Sequence, residues 1–128
     1  MSVKVLIFIA MGGALGAVSR YLSVVLVGRL FDSAMPLGTL AVNIVGSFVM
    51  GMLVPWIGSG MVVDPAMRAL MTVGFLGAFT TFSTFSMDAV LLLQQGNHIL
   101  AGAYMTLSVL GAVGAFMAGY ALMRGFVS

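Results

Sequence analysis

The sequence predicts an all-α integral membrane protein, a single domain over residues 1–128 made of four transmembrane helices. Three observations predict it. Of the 128 residues, 62% are hydrophobic and only 6% are charged, whereas soluble chains carry roughly a quarter charged residues. Four long stretches are nearly free of charge, each close to the length of about 20 residues that crosses a bilayer core about 30 Å thick. The segments between them are short and rich in helix breakers, which leaves no room for a soluble domain.

The first helix is expected over about 3–30, around an apolar run at about 5–28 that only Arg20 interrupts. Lys4 before an apolar run superficially matches a secretory signal. The run is too long for one, and Arg29 and Asp32 stand where small residues would mark cleavage, so the helix is expected to be retained. Asp32, Ser33 and Pro36 end it. The second helix is expected over about 36–58 and carries no charge; Gly58, Ser59, Gly60, Asp64 and Pro65 close it. The third, about 65–95, has the shortest and most polar core, at about 69–87, with an expected break near 77–80. Gln94, Gln95, Gly96, Asn97 and His98 form the last connection, and the fourth helix follows over about 98–125. No internal repeat is visible, so a symmetric pathway has to come from association of chains.

The few charges narrow the function. Five bases against three acids give a net charge of +2 with no run of Lys or Arg, which excludes a nucleic-acid surface. No cysteine is present, so there is no disulfide framework, thiolate metal site or cysteine nucleophile. One loop histidine and three scattered aspartates do not assemble a catalytic triad, a carboxylate pair or a metal cluster. Lys4, Arg68 and Arg124 fall on one side of the membrane and Arg29 on the other. So small a bias fits either one weakly marked topology or insertion in both orientations. Gly12 with Gly16, and Ala115 with Gly119, are small-residue pairs that let helices approach closely, within one chain or between two. The twelve methionines read as packing residues.

The chemistry concentrates in the third helix, where Thr80, Thr81, Ser83, Thr84 and Ser86 follow Gly74 and Gly77. Such a run is a poor lipid-facing surface. Hydroxyls that compete for backbone hydrogen bonds, beside a permissive glycine, either sit in an unbroken helix or open one, and an opened helix frees carbonyls at mid-membrane. Asn43, the one amide within a hydrophobic span, has the third-helix hydroxyls as its expected partners, as helix–helix glue or as a ligand. Tyr104 and Ser108 share one face of the fourth helix. Neutral donors, with the positive ring edges of Phe82 and Phe85, suit a small hard anion, because a charge at mid-bilayer costs at least about 2.5 kcal/mol. A small proton-coupled multidrug transporter is the alternative from composition. It requires an embedded carboxylate, for which Asp88 is the only candidate.

The stretch GFLGAFTTFSTFS from Gly74 to Ser86, with PLGTLAVNIVGSF from Pro36 to Phe48 and GGALGAVSRY from Gly12 to Tyr21, closely resembles the Fluc/CrcB family of bacterial fluoride channels. The likeness covers all four segments in order and length. It implies a fluoride-selective channel that exports the ion passively across the bacterial inner membrane. It also implies an antiparallel, dual-topology homodimer with two pores and a structural sodium ion at the central interface. In that family hydrogen fluoride enters acidified cells as a neutral molecule and dissociates, and the trapped anion needs an exit.

The resemblance assigns the pore to Asn43, Phe82, Ser83, Thr84, Phe85, Tyr104 and Ser108. It puts Arg20 in an aqueous vestibule and gives the sodium ion the backbone carbonyls of Gly77 and Thr80. Three residues depart from the family pattern. Ala78 replaces a second glycine, Asp88 stands where glutamate is common, and Ala112 occupies a position where serine often continues the polar track.

Overall fold

In the computed structural model, which describes residues 1–128, the chain is helical throughout, and its order follows from local signals. Helix α1 spans Val3–Leu30 and ends where Phe31 turns extended; α2 spans Leu37–Gly58 directly after Pro36. Helix α3, Pro65–Ala69, begins with proline at its first position and the Asp64 carboxylate accepting the Ala66 amide at 2.9 Å, a strong start signal. A wider π-helical segment, Leu70–Leu76, continues it and passes into the single turn α4, Gly77–Phe79. Helix α5, Phe82–Gln94, and α6, His98–Val127, complete the chain. Between them Gly96 adopts a positive φ of 79°, while the Gly96 and Asn97 amides return to the Leu93 and Leu92 carbonyls. Taking α3 through α5 as one span, Pro65–Gln94, four helical segments are long and apolar enough to cross a membrane.

The packing turns a soluble protein's arrangement outward. Only 17 of 128 residues are buried, and exposed large apolar side chains run along every long helix, a surface that only lipid or another apolar partner covers. Close contact is made through glycines. Gly12 and Gly16 of α1 lie against the backbone of the π-helical segment, where an added Cβ would run into the Leu70 and Phe75 carbonyls. Gly51 and Gly119 do the same between α2 and α6, against the Phe116 and Phe48 carbonyls. Gly12 and Gly16, and Gly119 of the second small-residue pair, are thus occupied within one chain. Gly16→Ala should lower the melting temperature of the detergent-solubilised protein, a cost of about 1–3 kcal/mol for overpacking. Gly13→Ala, which meets nothing within 4 Å, should leave it unchanged.

One ion pair ties the two ends of the first hairpin-like layer together: Lys4 Nζ donates to Asp64 Oδ2 at 2.6 Å. That hydrogen bond, helped by the Ala66 amide, holds the Asp64 carboxyl below its ordinary value of 3.8. Both side chains are about half exposed, so the pair locates the start of α3 more than it stabilises the fold.

The third span is interrupted, at the late end of the expected region. Gly77 is helical, with φ −61° and ψ −35°. The chain leaves the helix at Thr80 (φ −87°, ψ 156°) and Thr81 (φ −151°, ψ 116°) and re-enters it at Phe82. The flexibility of Gly77 is therefore not what opens the helix. The glycine that matters faces the break from α2: a Cβ on Gly46 would collide with the Thr80 methyl group and press on the Phe79 ring.

Candidate functional site

The break is held open by side chains that satisfy four of the backbone groups at it, in an environment where lipid offers no partner. In a continued helix the Thr81 amide would donate to the Gly77 carbonyl; it donates instead to Asn43 Oδ1 at 2.7 Å. Asn43 Nδ2 returns a bond to the Thr81 carbonyl at 3.1 Å. The predicted partner of Asn43 was the hydroxyl cluster. The structure gives it the Thr81 backbone, because one amide matches the donor and acceptor of one extended residue. A second Nδ2 hydrogen stays free.

On the C-terminal side of the break, the Thr84 amide donates to Thr81 Oγ1 at 3.1 Å, so Thr81 caps α5. On the other side, Arg20 Nε donates to the Ala78 carbonyl at 3.0 Å. The vestibule residue of the sequence analysis is thus a part-buried cap on the C-terminal end of α4, where a cation is electrostatically favoured. Two freed carbonyls, those of Gly77 and Thr80, keep no backbone donor four residues on, since those amides belong to Thr81 and Thr84.

Beside the break an open groove of about 340 Å³ runs between α2, α5 and α6. Asn43, Phe82, Phe85 and Ser108 line it, joined by Thr80 and Thr81. The two phenylalanine rings lie 5.5 Å apart at 44°, yet their surroundings differ. Phe82 is 77% exposed, whereas Phe85 is 9% exposed and tilts against the Tyr104 ring at 5.3 Å. Ser108 is 6% exposed and its hydroxyl has no hydrogen-bond partner. An orphaned buried hydroxyl facing a groove is a donor waiting for a ligand or water.

The other predicted site residues lie elsewhere. Tyr104 is fully buried one turn before Ser108 and donates its hydroxyl to Asp88 Oδ2 at 3.1 Å. Asp88 and Thr84 line a second cavity, of about 420 Å³, together with Thr39, Asp32 and Ser33. Tyr104 therefore stands between the groove and this cavity, the Phe85 ring on one side and the Asp88 carboxylate on the other. Ser83 is exposed, with Oγ 3.4 Å from Thr81 Oγ1. Ser47, which is not among the residues expected from the sequence, also lines the groove, one helical turn after Asn43. Its spacing of four from that amide was the available signal.

A four-span helical bundle whose interrupted third span borders a groove of neutral donors and aromatic rings defines a polytopic membrane protein fitted to handle a small ion. The chain belongs to the CrcB family: residues 7–120 match the family described as CrcB-like protein, Camphor Resistance (CrcB). Among its relatives, a protein of Hahella chejuensis is 47% identical over 124 residues, covering 97% of this chain and 98% of the relative. One of Vibrio campbellii is 48% identical over 120 residues, 94% of each chain, and one of Photobacterium profundum is 49% identical over 120 residues, 91% of each. All three relatives carry the name fluoride-specific ion channel FluC.

Proposed function

We propose that the chain is a fluoride channel of the bacterial inner membrane, exporting the ion passively and doing no chemistry. The observation that carries this reading is the groove: the free Nδ2 hydrogen of Asn43, the unpartnered Ser108 hydroxyl and the exposed ring of Phe82 line one uncharged surface. Together they offer a small anion replacements for lost water without a fixed counter-charge that would trap it. Relatives at 47–49% identity that are named fluoride-specific channels point the same way. From the groove the proposed track continues past Ser108 and Tyr104 toward Thr84 and Asp88, with Ser83 at the edge of the break. No observation favours the proton-coupled multidrug alternative, since Asp88 lies off the groove and is engaged by Tyr104.

The groove is open along one side and the Phe82 ring is uncovered, which suits closure by a second copy. We take the working unit to be an antiparallel homodimer. Lys4, Arg68 and Arg124 against Arg29 leave insertion nearly unbiased, as such a dimer requires. Liposomes containing the purified protein should release fluoride rapidly and retain chloride. Equal release of the two ions would overturn a selective channel, and proton-coupled cation uptake would favour the transporter.

The donor set at the break fits a structural sodium ion. The Gly77 and Thr80 carbonyls have lost their helical donors, and no acid lies between Asp64 and Asp88 in the sequence to favour a divalent ion. When bound, the ion would bridge two copies at this level. Within one chain a Cβ on Gly77 meets only the Thr72 carbonyl, at an ordinary 3.5 Å. Gly77→Val should therefore spare the fold of the protomer and weaken the dimer. The melting temperature of the wild-type protein should be higher in sodium than in N-methylglucamine, and Gly77→Val should abolish that difference. Equal melting of the wild type in both salts would remove sodium from the assembly.

A further inference from the structure

We propose that Ser47 is an additional ion-binding residue, the next anion-donating hydroxyl beyond Ser108, at the end of the groove away from Tyr104. The inference rests on the fluoride reading above and goes beyond the residues which that reading uses. Ser47 and Asn43 are four apart on α2 and line the same groove, so their side chains lie one above the other.

The wall opposite is α6, and its level is fixed by close contacts. Ile44 packs against Gly111, and Gly51 against the Phe116 carbonyl. Ser47, between Ile44 and Gly51, comes level with the turn of α6 that carries Ala112 and Val113, both on the groove. That turn offers no polar side chain. An ion that has passed Ser108 finds its next side-chain hydroxyl on α2.

The state of the two hydroxyls supports a ligand. Membrane serines and threonines commonly satisfy themselves by bonding back to a carbonyl of the preceding turn. Thr72, Thr80 and Ser86 do so here, at 2.8, 2.9 and 2.9 Å. Ser108 does not, although it is buried, and its oxygen has no partner at all. Ser47 makes no side-chain hydrogen bond either, so its proton is free to point into the groove. Two such donors, about a turn apart along one groove, offer an anion successive charge-assisted hydrogen bonds.

The test is fluoride efflux from liposomes containing the full-length wild type, Ser47→Ala, Ala112→Ser and the double variant, each checked by size exclusion. Losing one hydrogen bond to a charged ligand should slow efflux about tenfold in Ser47→Ala. Adding Ala112→Ser to it puts a hydroxyl back at the same level from the facing helix, and efflux should recover to within about threefold of wild type. A merely structural serine would not be rescued from another helix. Wild-type efflux in Ser47→Ala, or failure of Ala112→Ser to rescue it, overturns the site. Should Ser47→Ala not fold, Ser47→Cys, which keeps the size of serine but donates a far weaker hydrogen bond, carries the same comparison. A wild-type protein that passes no fluoride sinks the channel reading, whereas the two failures just named occur in a working channel and sink this inference alone.

Discussion

Replacing Asn43 by leucine is expected to abolish fluoride flux and to lower the melting temperature more than any other single substitution near the groove. Leucine keeps the branched heavy-atom skeleton of asparagine, so packing alone predicts a milder effect than the one expected. The loss falls on the Thr81 backbone, whose amide and carbonyl are both held by the Asn43 side chain, at 2.7 and 3.1 Å. Stranded in an apolar span, each unsatisfied group costs several kcal/mol. The cheapest relief is to wind Thr80 and Thr81 into a continuous helix, which rotates α5 and withdraws its groove residues. Asn43→Asp should be almost as damaging, since a carboxylate still accepts from the Thr81 amide but faces the Thr81 carbonyl without a donor and repels an approaching anion. Liposome efflux and thermal melting in detergent measure both variants. Near-normal flux in Asn43→Leu would show that the break does not depend on this clamp.

The second large effect is expected at the aromatic pair, and it should split. Phe82→Ile should remove most of the fluoride flux while leaving the melting temperature close to wild type. Its ring is 77% exposed and lines the groove, so what is lost is an aromatic surface open to the ion rather than packing. Phe85→Ile should lose flux and stability together. That ring is buried in a cluster with Ala89, Leu92, Ala101 and Tyr104, and an aliphatic replacement leaves Tyr104 without its aromatic neighbour. Efflux and melting curves on the two variants separate an ion-facing ring from a packed one. Unchanged flux in Phe82→Ile would mean that its ring takes no part in conduction.

The four spans were legible in the sequence because hydrophobic length is a property of contiguous residues, and so was the rough place of the break, where hydroxyls crowd. The contacts that hold the break open were not. Arg20 meets Ala78 across 58 positions and Asn43 meets Thr81 across 38, and no periodicity within one helix encodes which residue of another stands opposite. The same limit hid Gly46, which reads as one more small residue in an apolar run until the Thr80 methyl is seen against it. It also explains why the sequence points to Gly77 as a hinge. Glycine permits an irregular backbone without requiring one, and here the irregularity was decided by side chains that cap amides and carbonyls. For Tyr104 and Ser108 the spacing of four gave the shared face, and only the fold shows one engaged with Asp88 and the other unpartnered.

The π-helical segment Leu70–Leu76 bears on how this chain tolerates changes of length. A π turn holds about one residue more than an α turn, and this one lies against Gly12 and Gly16 just before the break. A single-residue deletion within it can be absorbed by tightening to α geometry, leaving the groove residues in phase with α2 and α6. No such slack exists after Phe79. The amides of Thr81 and Thr84 reach their acceptors at fixed positions along the chain, so a deletion there changes which side chain caps α5 and which ring meets the groove. Length variation in the third span is therefore permitted on one side of the break and forbidden on the other.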